Sequence, residues 1–241
     1  MSVANARVTR ARRLARCPAS LLAAGILAGG VLAGATVPAA KAASLKAPVP
    51  ASLRAVESSA EDILDAALSG ERSEVVAKAA SLKAAANGPA AAALARSGLS
   101  SAKVGQLKQR ANRVAQLAAR GSFTDVALAA NAVSQLMPDF YGRFQDPVPA
   151  PVLKLDYLDR EALLHSLARQ PVQVATTVKE LERTWVRLRP AVIAAGAAKE
   201  AAAYGRHVVA LKRLEAGQKN VQAEADRGLN LVDQLEQVFS Q

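Results

Sequence analysis

The chain has 241 residues, 51% hydrophobic but only 3% aromatic, with a formal net charge of +11. Alanine runs such as Ala84–Ala86 and Ala201–Ala203 recur, and alanine loses no side-chain entropy in a helix, whereas strand-favouring aromatic and β-branched residues are sparse. That balance argues against an all-β or doubly wound nucleotide-binding chain, and the steady recurrence of Leu and Val at 21% charge argues against disorder.

The first segment reads as a secretory signal peptide over residues 1–42. Arg7, Arg10, Arg12, Arg13 and Arg16 form a basic start, Ser20–Val37 an apolar run, and Ala40-Lys41-Ala42 a small-residue exit with cleavage expected after Ala42. The competing reading is an uncleaved anchor, because the run is just long enough to span a bilayer and carries Gly25, Gly29, Gly30 and Gly34. Six of the 31 basic residues and none of the 20 acidic ones lie in residues 1–42, leaving 25 against 20. The only cysteine, Cys17, leaves with the segment, so the processed chain is expected to lack disulfides, thiolate metal sites and thiol catalysis. The expected location is periplasmic or secreted.

After a Pro-containing leader (43–52), an internal duplication with a period of 99 residues organises the rest. Pro48-Val49-Pro50-Ala51 returns as Pro147-Val148-Pro149-Ala150, and Asn131, Val133, Gln135, Leu136 and Phe140 return as Asn230, Val232, Gln234, Leu235 and Phe239. The spacing predicts an all-α fold of two tandem antiparallel bundles, over 53–146 and 153–241, joined by a Pro-rich stretch at 147–152. In the first unit, helices are expected over Leu53–Leu68, from about Ser73 to a break at Asn87-Gly88-Pro89, and in a short piece to Arg96. Two more follow, one from a Ser100 or Ser101 cap to before Gly121, the other from a Ser122 or Thr124 cap to Pro138. In the second unit they are expected over Leu153–Leu167, Pro171–Leu188, Pro190–Ala195, Ala197–Ala216 and Gln218–Phe239. Val104, Leu107, Ala111, Val114 and Ala118 fall on one arc of the helix before Gly121, and Val221, Ala225, Leu229, Val232 and Leu235 on one arc of the last helix.

No Gly-rich phosphate loop, Gly-x-Ser-x-Gly elbow or His-Glu-x-x-His occurs, and with two histidines the chain reads as non-catalytic. Three constellations remain. Lys103, Arg110, Arg113 and Arg120 form a basic stripe within a stretch, between Glu74 and Asp125, that has no acid; a one-sign face attracts an acidic partner or an anionic surface, or is simply solvated. Phe140, Tyr141 and Phe144 crowd the segment between the units, and Trp185 sits among arginines; such aromatics either staple units together or anchor a partner. Glu161 and His165 lie one turn apart, and with His207 from a facing helix they define a possible metal or small-ligand site.

The functional expectation is an exported, non-catalytic binding or adaptor protein of the bacterial cell envelope. It would meet an envelope protein or an anionic surface through helix faces and the basic stripe, would need no cofactor, and would not bind nucleic acid, since stacking aromatics are missing from the stripe. The alternative is a periplasmic carrier holding a metal or small ligand near Glu161, His165 and His207.

Overall fold

The computed structural model describes residues 46–217 and 220–240, all within one compact unit. The segment read as a signal peptide, with Cys17, lies outside these described residues. The chain is all-helical, with ten helices and no strand among the described residues; the one bridge pairs Pro48 with Gln145. No helix among them is long and apolar enough to cross a membrane.

The first six helices are α1 (Ala51–Leu68), α2 (Arg72–Asn87), α3 (Pro89–Arg96), α4 (Ser101–Ala118), α5 (Phe123–Ser134) and α6 (Met137–Tyr141). The remaining four are α7 (Ala150–Leu167), α8 (Pro171–Ala194), α9 (Ala198–Gly217) and α10 (Val221–Phe239). Helices α1, α2, α4 and α5 pack in a ring, each against two neighbours, with α3 laid on α1, α2 and α4. Helices α7, α8, α9 and α10 form a second ring, and α7 also packs against α5 and α6.

Local chemistry explains where the helices begin. The two Pro-Val-Pro-Ala segments adopt the same entry: Pro50 and Pro149 are extended N-caps, and α1 and α7 each run for 18 residues. Ser100 and Ser122 cap α4 and α5 by accepting the backbone N–H of Lys103 and Asp125. The apolar arc expected on α4 is the face it buries, residue for residue. The arc expected on α10 is likewise buried, together with Gly228.

The helix ends differ from expectation at two places. The last helix of the first unit stops at Ser134, and the aromatic segment after it winds into the short α6. Helix α8 continues through Pro190 instead of breaking before it. The reason lies in the residue preceding each proline. Gly88 takes φ −110° and ψ −105°, a conformation that lets the chain break before Pro89. Arg189, with its Cβ, stays helical, and Pro190 removes one hydrogen bond on the exposed side near the helix end.

The turns after α1 and α7 share one pattern, in which the second residue past the helix is left-handed. Gly70 occupies that place after α1 at φ +75°, whereas Arg169 occupies it after α7 at φ +56°. Glu71 N–H closes the first turn on Ala66 and Gln170 N–H closes the second on His165. An arginine held left-handed is strained by about 1 kcal/mol, a cost glycine avoids. Arg169→Gly is therefore expected to raise the unfolding free energy by about 1 kcal/mol, read from urea denaturation.

Candidate functional site

Helix α7, packed between the two rings, carries three buried charged residues, Asp156, Asp159 and Arg160. Ten of its residues are buried, including the unbroken run Leu155–Arg160, so it is covered on all sides. Its polar residues divide among three directions, because residues two apart on a helix lie about 200° apart while those four apart share a face.

Asp156 and Arg160 face the first ring. The Arg160 guanidinium, 4% exposed, meets Asp156 at 2.6 Å and Glu61 of α1 at 2.8 Å, and that second pair joins positions 99 residues apart. Burial alone would depress Arg160, but the Asp156 and Glu61 carboxylates hold its pKa up. Glu57 lies one turn before Glu61 and accepts the Tyr141 hydroxyl of α6. Burial, with the repulsion of Glu61, pushes the Glu57 carboxyl up to about 7. Arg54 lies 6.0 Å from the Tyr141 ring and pairs with Asp146 at 3.2 Å.

Asp159 faces the second ring. Fully buried, it accepts the Tyr204 hydroxyl at 2.7 Å and pairs with His207 Nε2 at 2.8 Å, while His207 Nδ1 pairs with Glu224 at 2.8 Å. Arg227 closes the set on Glu224 at 2.6 Å. His207 thus lies between two acids, and Arg227 lies on the outer one, so each of these groups has a polar or opposite partner, which is how such groups tolerate burial. Burial disfavours the charged imidazole, yet the bonds to Asp159 and Glu224 raise the His207 pKa overall; burial raises that of Asp159. Gly228 makes room for the pair, because a Cβ there would stand 2.4 Å from Asp159 Oδ1 and 2.5 Å from His207 Nε2.

Glu161 and His165 face a cleft of about 510 Å3 between α5–α6 on one side and α7–α8 on the other. Glu161 takes His165 Nε2 at 3.1 Å and the Asn131 amide at 2.6 Å, and His165 Nδ1 contacts Gln170 at 2.7 Å. Lys154 and Glu180 pair at 2.5 Å on the cleft wall, and the hydrogen bond from Lys154 holds the Glu180 carboxyl below its ordinary value. Burial and the neighbouring Glu161 push the Tyr157 hydroxyl up. Asn131 Oδ1 is buried with no hydrogen-bond partner. A larger hollow of about 740 Å3 between α2 and α4 is lined by alanines and a few amides, with Lys83 as its sole charged side chain.

These positions sort the residues singled out from sequence. Glu161 and His165 are brought together, but His207 belongs to the Asp159 set on another face of α7. Among the described residues, no three His, Cys, Asp or Glu side chains form a set that could hold a metal ion. Phe140, Tyr141 and Phe144 are buried in the first core, and Trp185 in the second, its ring 4.8 Å from that of Tyr204. Lys103 pairs with Asp139 at 2.5 Å, and Arg110 donates to the Ala132 carbonyl and to Gln135. Arg113 and Arg120 are exposed. Sequence reasoning missed Glu57, Glu61, Arg160, Tyr204 and Glu224. The legible signal was a helix with charges and apolar residues on every face, which only a fully enclosed helix needs. Known protein families, curated proteins and solved structures contain no match to this chain.

Two outcomes follow from the buried charges. Glu57 has a folded pKa of about 7 against an ordinary 4.5, so its contribution is fully present below pH 4.5 and is lost as pH rises through 7. Asp159 and His207 act in the same direction, while Glu224 and Glu180, held low, withdraw support only in acid. Unfolding free energy is expected to fall from mildly acid to mildly alkaline pH, and Glu57→Gln to remove much of that slope in urea titrations at a series of pH values. His207→Ala, which strands Asp159 in the core, should cost about 3–5 kcal/mol by the same measurement.

Proposed function

We propose that the chain is an exported, non-catalytic binding protein of the cell envelope that meets an anionic partner through its exposed basic helix faces. One observation carries this reading: the interior acids, bases and hydroxyls are committed to one another, while Arg113 and Arg120 of α4 stand in solvent. Both ring nitrogens of each histidine are held by neighbouring carboxylates or an amide, which supports the non-catalytic reading. The stripe is narrower than the sequence alone implies, since Lys103 and Arg110 tie α4 to α5 and α6. Export rests on the anatomy of residues 1–42, and descent by duplication on the repeated residues together with helix starts 99 positions apart at Ala51 and Ala150 and at Arg72 and Pro171.

Arg113→Glu with Arg120→Glu is expected to weaken association with envelope fractions about tenfold and to abolish its dependence on salt, with helix content unchanged by circular dichroism. Unaltered association would sink the reading. The cleft holding Glu161 and His165 favours a second reading, a small-ligand carrier. Native mass spectrometry of protein taken from the envelope separates the two. A stoichiometric ligand that disappears in Glu161→Ala and His165→Ala, but persists in the charge-reversed protein, establishes the carrier.

A further inference from the structure

We propose that the outward face of α8 is a contact surface for an anionic lipid bilayer. Lys179, Arg183, Val186, Pro190 and Ile193 recur every three or four residues and so share one side of the helix, whereas Val172 and Thr176, nearer its start, line the cleft beside His165. All five are exposed, with Val186 at 64% and Ile193 at 45%. The opposite side, including Val178, Leu181, Trp185, Leu188 and Val192, is buried against the second core. The helix packs on α7 and α9, and its outer side faces neither.

The chemistry of this stripe is that of a bilayer interface. From Arg183 to Lys199 the chain carries Arg183, Arg187, Arg189 and Lys199 and no acid; of the acids just before, Glu182 pairs with Lys212 at 2.6 Å, and Glu180 pairs with Lys154 at 2.5 Å and lies 3.9 Å from Arg183. Branched apolar side chains stand among long arginines whose stems lie along apolar surface while their guanidinium groups reach lipid phosphates. A single helix side of this kind can lie flat on a plane. A second copy of the chain would present the same positive face and be repelled. The proposal rests on the reading of the chain as a binding protein for an anionic partner, and it specifies that partner as lipid.

The test uses residues 43–241, which carry no cysteine and hold every described residue, with a polarity-sensitive label on Val186→Cys or, in a parallel sample, on exposed Gln106→Cys, which shares a side of α4 with Arg113 and Arg120. With phosphatidylglycerol vesicles the label at 186 is expected to shift to the blue, and with phosphatidylcholine vesicles to stay unchanged. Each basic side chain at an anionic leaflet multiplies partitioning about fivefold, so Arg183→Gln with Arg187→Gln should weaken it about 25-fold. A label at 186 that does not respond overturns the proposal, whatever the chain does elsewhere. If the label at 106 responds alone, anionic binding holds through α4 and the assignment to α8 is wrong. If neither responds, lipid is the wrong partner, and the wider reading is judged by the α4 charge reversal.

Discussion

The enclosure of α7 is the constraint on which the rest of the structure depends. A helix buried on every side while carrying Asp156, Asp159, Arg160 and Glu161 folds only if each charge meets a partner, and the partners come from three different neighbours. Glu61 comes from α1, His207 from α9 and Asn131 from α5, so the two rings can close on α7 in one register only. Such pairs add little net stability once desolvation is counted, but losing one partner leaves the other charged in a dry interior. The charges therefore specify how the rings meet more than how strongly.

Apolar packing follows the same division. Leu164 of α7 belongs to the first core, whereas Leu155, Leu158 and Leu163 belong to the second. The aromatics of α6 close the seam from the side, with Phe140 wholly buried and Tyr141 turned so that its hydroxyl reaches Glu57. The segment before α1 lies beside the segment before α7, through the bond from Gln145 N–H to the Ala47 carbonyl and from Lys46 to the Gly142 carbonyl. With the interior groups spent in this way, the chemistry left for other molecules lies on the outer faces and in the cleft beside His165.

A seam whose buried groups bind protons more tightly when folded ties stability to pH in an unusual direction. Most domains lose stability in acid, because paired carboxylates must be protonated. Here burial holds Glu57 and Asp159 up, so these two carboxyls withdraw support as pH rises.

By itself the sequence determined that the chain is helical, where most helices begin and which arcs of α4 and α10 are buried, because these follow from spacing and from the residues at the ends. The α4 face from Val104 to Ala118 and the caps Ser100 and Ser122 were legible for that reason. It placed a break before Pro190 that α8 does not have, since that turned on whether the preceding residue can leave the helix. It also grouped His207 with Glu161 and His165, because proximity along the chain hides the opposite facing of positions 159 and 161. Only the tertiary structure decided which polar residues meet. Pairings such as Glu61 with Arg160 and Asp159 with His207 depend on the relative placement of helices distant in the chain, and no local periodicity encodes that.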